Sequence, residues 1–147
     1  MKITLTVLLI LILGSIPAWA TLGQNEASVS ADQQYLRSED RVQAFQAYKV
    51  HQLTTANGTI VREYVSPQGL VFGVTWQGHF MPNLQQLLGS YMTDLQQGQR
   101  TQVVRRRAVT IQTDDFVFSS VGHLGFFRGR VYVPSLVPSN VTVEVVQ

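Results

Sequence analysis

The chain has no cysteine among its 147 residues. That excludes a disulfide framework, a thiolate zinc site, a cysteine nucleophile and lipid attachment through an N-terminal cysteine. Imidazoles are scarce as well: His51, His79 and His123 are the only three, and no two lie within metal-motif spacing, so neither a metal site nor any other cofactor is expected. Carboxylates number nine and adjoin only at Glu39-Asp40 and Asp114-Asp115, the second pair reading as a hairpin turn. With 14% charged residues and a net charge of +2, the basic excess is too small and too dispersed for a nucleic-acid footprint. There is no Gly-x-Ser-x-Gly elbow, and Ser119-Ser120 falls inside a strand pattern. Gly73 to Gly78 (GVTWQG) lacks both the phosphate-loop ending and the dinucleotide fingerprint.

Long apolar runs are absent beyond the first 20 residues, MKITLTVLLILILGSIPAWA. Lys2, the apolar stretch Ile3 to Ile16, Pro17 and the small residues Ala18 and Ala20 form the layout of a secretory signal, with residues 1–20 removed and Thr21 as the new N-terminus. The competing reading is an uncleaved anchor, since Ile3 to Ala20 approaches the roughly 18 residues that cross a bilayer. Pro17 before Ala-Trp-Ala favours processing. The expected location is periplasmic or secreted, with no transmembrane span once the leader is gone. Seven Phe, five Tyr and two Trp supply enough apolar area for a folded core.

Residues 21–46 are polar and read as a flexible lead-in with a short helix near Ala31 to Arg37, capped by Ser30. Residues 47–147 read as one domain. Two hairpins open it. Asn57-Gly58 suits a two-residue type I′ turn between YKVHQLTT and TIVREYV. Ser66-Pro67-Gln68-Gly69 suits a type I turn ending in a glycine bulge before LVFGVTW. That bulge pairs Ser66 with Leu70, Tyr64 with Phe72, Arg62 with Val74 and Ile60 with Trp76. One face then carries Ile60, Tyr64, Leu70, Phe72, Val74 and Trp76, with His51 and Leu53 from the first strand, and Glu63 avoids it.

After Pro82 the apolar residues Leu84, Leu87, Leu88, Tyr91 and Leu95 form one helical stripe that Gly98 ends, with Gly89 inside marking a close approach or a break. AVTIQT, FVFSSV and FFRGRVYV read as strands, and Val141, Val143 and Val145 as a final edge strand. The expected fold is α+β: an antiparallel sheet of six to seven strands, arranged as three strands, a helix, then three to four strands, with one main amphipathic helix packed on it.

VREYVSPQGLVFGVTWQG, MPNLQQLLGSYM and GHLGFFRGRVYVPSLVP together resemble an exported bacterial family known only as a domain of unknown function. The resemblance runs from about Val29 to Val137. It implies a bacterial exported protein and brings no activity, cofactor or catalytic residue.

The candidate binding residues are the cluster Arg105, Arg106 and Arg107, with Arg128 and Arg130 on a later strand and Phe126 and Phe127 beside a glycine turn. Arginine holds phosphate and carboxylate through planar, paired donors but moves protons poorly. Solvated charges that discourage edge pairing are the plainer account of the cluster. The favoured function is therefore a non-catalytic binding or interaction module of the bacterial envelope, its partner an anionic polymer, lipid headgroups or another envelope protein. A hydrolase using Glu63 or an Asp with a His is the alternative. A structural role in a surface assembly, through the Val-rich C-terminal edge, is the third.

Overall fold

The computed structural model describes residues 22–101, 108–123 and 125–147, and the leader lies outside them. Seven strands form one antiparallel sheet: β1 (Ser38–Ala44), β2 (Lys49–Thr55), β3 (Ile60–Val65), β4 (Val71–Gly78), β5 (Ala108–Gln112), β6 (Val117–His123) and β7 (Phe126–Tyr132). Their order is β1-β2-β3-β4-β7-β6-β5. Two meanders, β1 to β4 and β5 to β7, thus meet along a single seam where β4 pairs with β7. The helices are α1 (Val29–Leu36), α2 (Leu84–Leu88) and α3 (Tyr91–Thr101), which makes a strand-dominated α+β fold.

The helices cover one face of the sheet. Leu53, Val61, Val74, Trp76, Phe118 and Val131 project from the strands into a core shared with Leu22, Val29, Leu87, Leu88 and Leu95. Trp76 and Leu88 are both fully buried there, as their central places in their stripes require. On the opposite face a smaller cluster joins Val50, Tyr64 and Phe72 to Val146 of the C-terminal tail, and the Tyr64 hydroxyl donates to the Gln147 carbonyl at 2.9 Å.

The polar lead-in is part of this architecture. Leu22 and Val29 are core residues, and β1 adds a full antiparallel ladder to β2. Its sequence, SEDRVQA, has one large apolar residue, Val42, so an edge strand with no apolar face left no alternation to read. The expected single helix is two. Gly89 takes φ 53° and ψ −119° and ends α2, whose N-terminus is capped by Asn83 accepting from the Gln86 N–H. Gly98 does not end α3; a Cβ there would stand 2.6 Å from Ile111 Cγ2, so its bare backbone lets the helix approach β5. The C-terminal valines form a 3-10 turn, Val143–Val145, rather than a strand, which removes the edge on which the assembly reading rested.

Both hairpin turns also refine the expectation. Thr55 closes on Thr59 with only Gly58 at positive φ, giving a three-residue loop instead of a type I′ turn. At the second hairpin the Ser66 and Leu70 pairing and the left-handed Gly69 are found as expected. A further irregularity at Tyr64/Val65 then shifts the register by one: Arg62 pairs with Thr75, Glu63 with Val74 and Tyr64 with Gly73. The shift turns Val61, Glu63 and Val65 toward the helices and Ile60, Arg62 and Tyr64 away from them.

Candidate functional site

That register creates a row that no single strand displays. Reading across the sheet from β1, cross-strand partners follow one another as Arg41, Gln52, Arg62, Thr75, Arg130, Ser119 and Thr110. All seven lie on the face away from the helices. Adjacent strands stand about 4.8 Å apart, so the three arginines recur roughly every 10 Å. Arg128, two residues before Arg130, adds a fourth guanidinium from the neighbouring row. Among the described residues none of the four makes an ion pair. The strands' one carboxylate on this face is Glu39, at the sheet edge opposite Thr54. Arg62 Nε donates to Gln52 Oε1 at 3.1 Å, which fixes the guanidinium plane, and the Arg130 guanidinium lies 6.0 Å from the centre of the Tyr132 ring.

Much of the row borders two open clefts, with Thr75 itself buried between Arg62 and Arg130. A cleft of about 810 Å³ takes in Arg41, Gln52, Arg62, Gln77 and Arg128, and a second of about 350 Å³ adds Ser119 and Arg130, the two sharing Arg128 and Gln147 of the tail. Phe45, Tyr48 and Tyr64 contribute an aromatic wall to the larger cleft, with the Phe45 and Tyr48 rings stacked at 4.7 Å.

Of the residues singled out from sequence, Arg128 and Arg130 therefore join Arg41 and Arg62. Arg105, Arg106 and Arg107 lie outside the described residues. Phe126 is exposed and meets His79 edge-on at 5.8 Å, beyond the end of the groove, whereas Phe127 packs over Gly122. Isolated arginines in strands look like ordinary surface positions; only the pairing register reveals Arg41 and Arg62 as neighbours of one site.

On the helix face the titratable groups gather differently. Glu63 is 1% exposed and sits across from His51, with the Asp32 carboxyl of α1 beside it. Gln86 Nε2 of α2 donates to Asp32 Oδ1 at 2.7 Å. Burial, reinforced by the nearby charges of Asp32 and Asp40, pushes the Glu63 carboxyl well above the ordinary range. Burial likewise raises Asp32 to about 6, against the pull of its hydrogen bonds to Glu63 and Gln86. Burial thus favours the protonated, uncharged form of both carboxyls. Nearer the surface, His51 Nδ1 faces Asp40 Oδ2 at 2.8 Å and His51 Nε2 faces Glu26 Oε1 at 3.1 Å. Lys49 Nζ donates to Glu26 at 2.6 Å; this bond, then that of His51, holds the Glu26 carboxyl below its usual range. Neither cleft includes Glu63, Asp32 or His51. No group of three or more His, Asp or Glu side chains among the described residues is placed to hold a metal ion.

Fold and groove together define a strand-dominated α+β domain with a basic, solvent-open sheet face. The chain belongs to a family described as a protein of unknown function, DUF2844, whose model matches residues 18–146. No curated protein matches it, and no solved structure does.

Proposed function

We propose that the protein is an exported, non-catalytic binding module of the bacterial envelope, and that its basic groove holds an anionic polymer. One observation carries this reading: Arg41, Arg62, Arg128 and Arg130 are delivered by both meanders to one open face and left without carboxylate partners among the described residues. Building four guanidiniums together costs mutual repulsion, which an anionic ligand relieves through paired charge-assisted hydrogen bonds. Among anionic partners, a polymer strand fits a groove better than a flat bilayer does. No described helix is long and apolar enough to cross a membrane.

The test is retention on immobilised heparin, a generic polyanion. The natural protein is expected to bind at low ionic strength and elute as salt rises, because exposed charges are screened beyond about 8 Å at physiological salt. A variant with Gln at positions 41, 62, 128 and 130 should pass through unretained, while one with Gln at 105, 106 and 107 should keep most of its binding. Equal, salt-insensitive retention of the natural and fourfold-substituted proteins would remove the groove from the account.

The hydrolase reading has His51 and Glu63 as cross-strand partners in its favour. Both are buried under the helices, on the face opposite the groove, where a substrate has no access to the Glu63 carboxyl. Acid and base roles need groups that reach a substrate, so this arrangement argues for packing rather than catalysis.

Export rests on the leader. Intact-mass measurement of the protein recovered from the periplasm of an expressing bacterium should give a chain beginning at Thr21. A Met1-containing chain confined to the membrane pellet would instead make the leader an anchor.

A further inference from the structure

Building on the groove reading, we propose that its ligand is a linear acidic glycan in which a charged sugar alternates with a neutral one, lying across the strands from β1 to β7. The row itself alternates. Along the larger cleft Arg41, Arg62 and Arg128 stand on every second strand, and Gln52 and Gln77 stand between them. Each sugar of an extended polysaccharide advances the chain by about one strand spacing, roughly 5 Å. Aligned with the row, such a polymer places one sugar over each strand and an acid over each arginine. The intervening sugars then face the Gln52 amide and, next to the buried Thr75, the neighbouring Gln77 amide at the groove floor. Amides donate to and accept from sugar hydroxyls, whereas a carboxylate set over them would lose hydration without gaining a cation.

The groove wall points to sugar rather than bare phosphate. Phe45 is 43% exposed and is held face to face with Tyr48, which presents a rigid aromatic surface beside Arg41 and Arg62. The apolar C–H face of a pyranose ring stacks on such a surface, burying area that an inorganic polyanion does not have. Polyphosphate also spaces its charges far more closely than the arginines. Uniformly charged polyuronates match the aromatic wall, but any carboxylate set over an amide position gains no cation, which weakens their binding.

Three arginines on five successive strands need five sugars to span them, so affinity has a length threshold. Calorimetry with hyaluronan oligosaccharides, which carry an acid on every second sugar, reads it directly. The hexasaccharide is expected to bind about tenfold more tightly than the tetrasaccharide, since it gains one guanidinium–carboxylate contact, and the octasaccharide should gain little further. An alginate hexamer should bind more weakly than the hyaluronan hexamer despite twice the charge, and cellohexaose should not bind. Arg62→Gln should lower hexasaccharide affinity about tenfold, Arg62→Lys by less, and Phe45→Ala should weaken the hyaluronan oligomers while leaving polyphosphate unaffected. Thermal melting of each variant verifies that it is folded. Binding that follows charge density, with polyphosphate and alginate ahead of hyaluronan, overturns the alternating-glycan inference while the anion-binding groove stands. Failure of every polyanion to bind, or binding untouched by Arg62→Gln, overturns both.

Discussion

Glu63→Gln is expected to make the protein more stable above about pH 6 and to flatten its stability profile between pH 4 and 8. Glu63 is enclosed by β3, α1 and α2, where burial and then the neighbouring charge of Asp32 raise its pKa and favour the protonated form. The folded-state pKa values of both groups are raised, so over this range the folded chain binds more protons than the unfolded chain. Stability from this pair is therefore fully present below the unfolded pKa values near 4 and is lost as pH rises through the folded ones. With Asp32 moved from 3.8 to about 6, its share of that loss is on the order of 2 to 3 kcal/mol. Gln keeps the size and the donor of protonated Glu63 and removes its charge. Glu26 works in the opposite sense: its lowered pKa contributes stability above its unfolded value that disappears on acidification. Urea midpoints at pH 4, 6 and 8 for both proteins measure the difference. A natural protein whose midpoint does not fall with pH over this range, or a Gln variant weaker by the same amount at every pH, would contradict the shared-proton arrangement.

Gly129→Val is expected to abolish cooperative folding, a loss beyond about 4 kcal/mol. Gly129 pairs with Trp76 across the seam between β4 and β7, and the indole lies over it. A Cβ at position 129 would stand 2.1 Å from Trp76 Cζ2. The indole has no free side to move to, being 1% exposed and packed against the Phe118 ring at 5.7 Å. Overpacking that forces backbone apart at a seam costs more than a crowded side chain, which can change rotamer. Adding Trp76→Leu should return part of the lost stability, and urea unfolding followed by circular dichroism reads both variants. A Gly129→Val protein that unfolds near the natural midpoint would show that the indole has room elsewhere.

Six of the seven strands and the break at Gly89 were legible because each had a local signal: alternation, an Asn-Gly or Pro-x-Gly turn, or a glycine within a helical stripe. β1 had none, since its one large apolar residue is Val42 and its ladder is supplied by β2. The register of β3 on β4 was misread for a related reason. Val71 to Trp76 is buried on both faces, so the strand itself does not say which side is which, and the cost of burying Glu63 is the remaining local criterion. That cost is removed by a proton and by Asp32, which lies 31 positions upstream on another element. The same one-residue shift carries Arg62 onto the outer face and so aligns the groove. A local sequence pattern holds no trace of it, because the site exists only as a relation between strands.

The seam between the meanders gives the groove a property of its own. Arg41 and Arg62 belong to the N-terminal arm, Arg128 and Arg130 to the C-terminal arm, and the two arms touch within the sheet only along β4 and β7. Each meander is built from local hairpins that can form early, whereas the seam must await closure of a loop containing α2 and α3. The recognition surface is therefore complete only once the seam has closed. A polymer grasped by both arms acts as a clasp over their junction, tightening the joint on which its own binding depends.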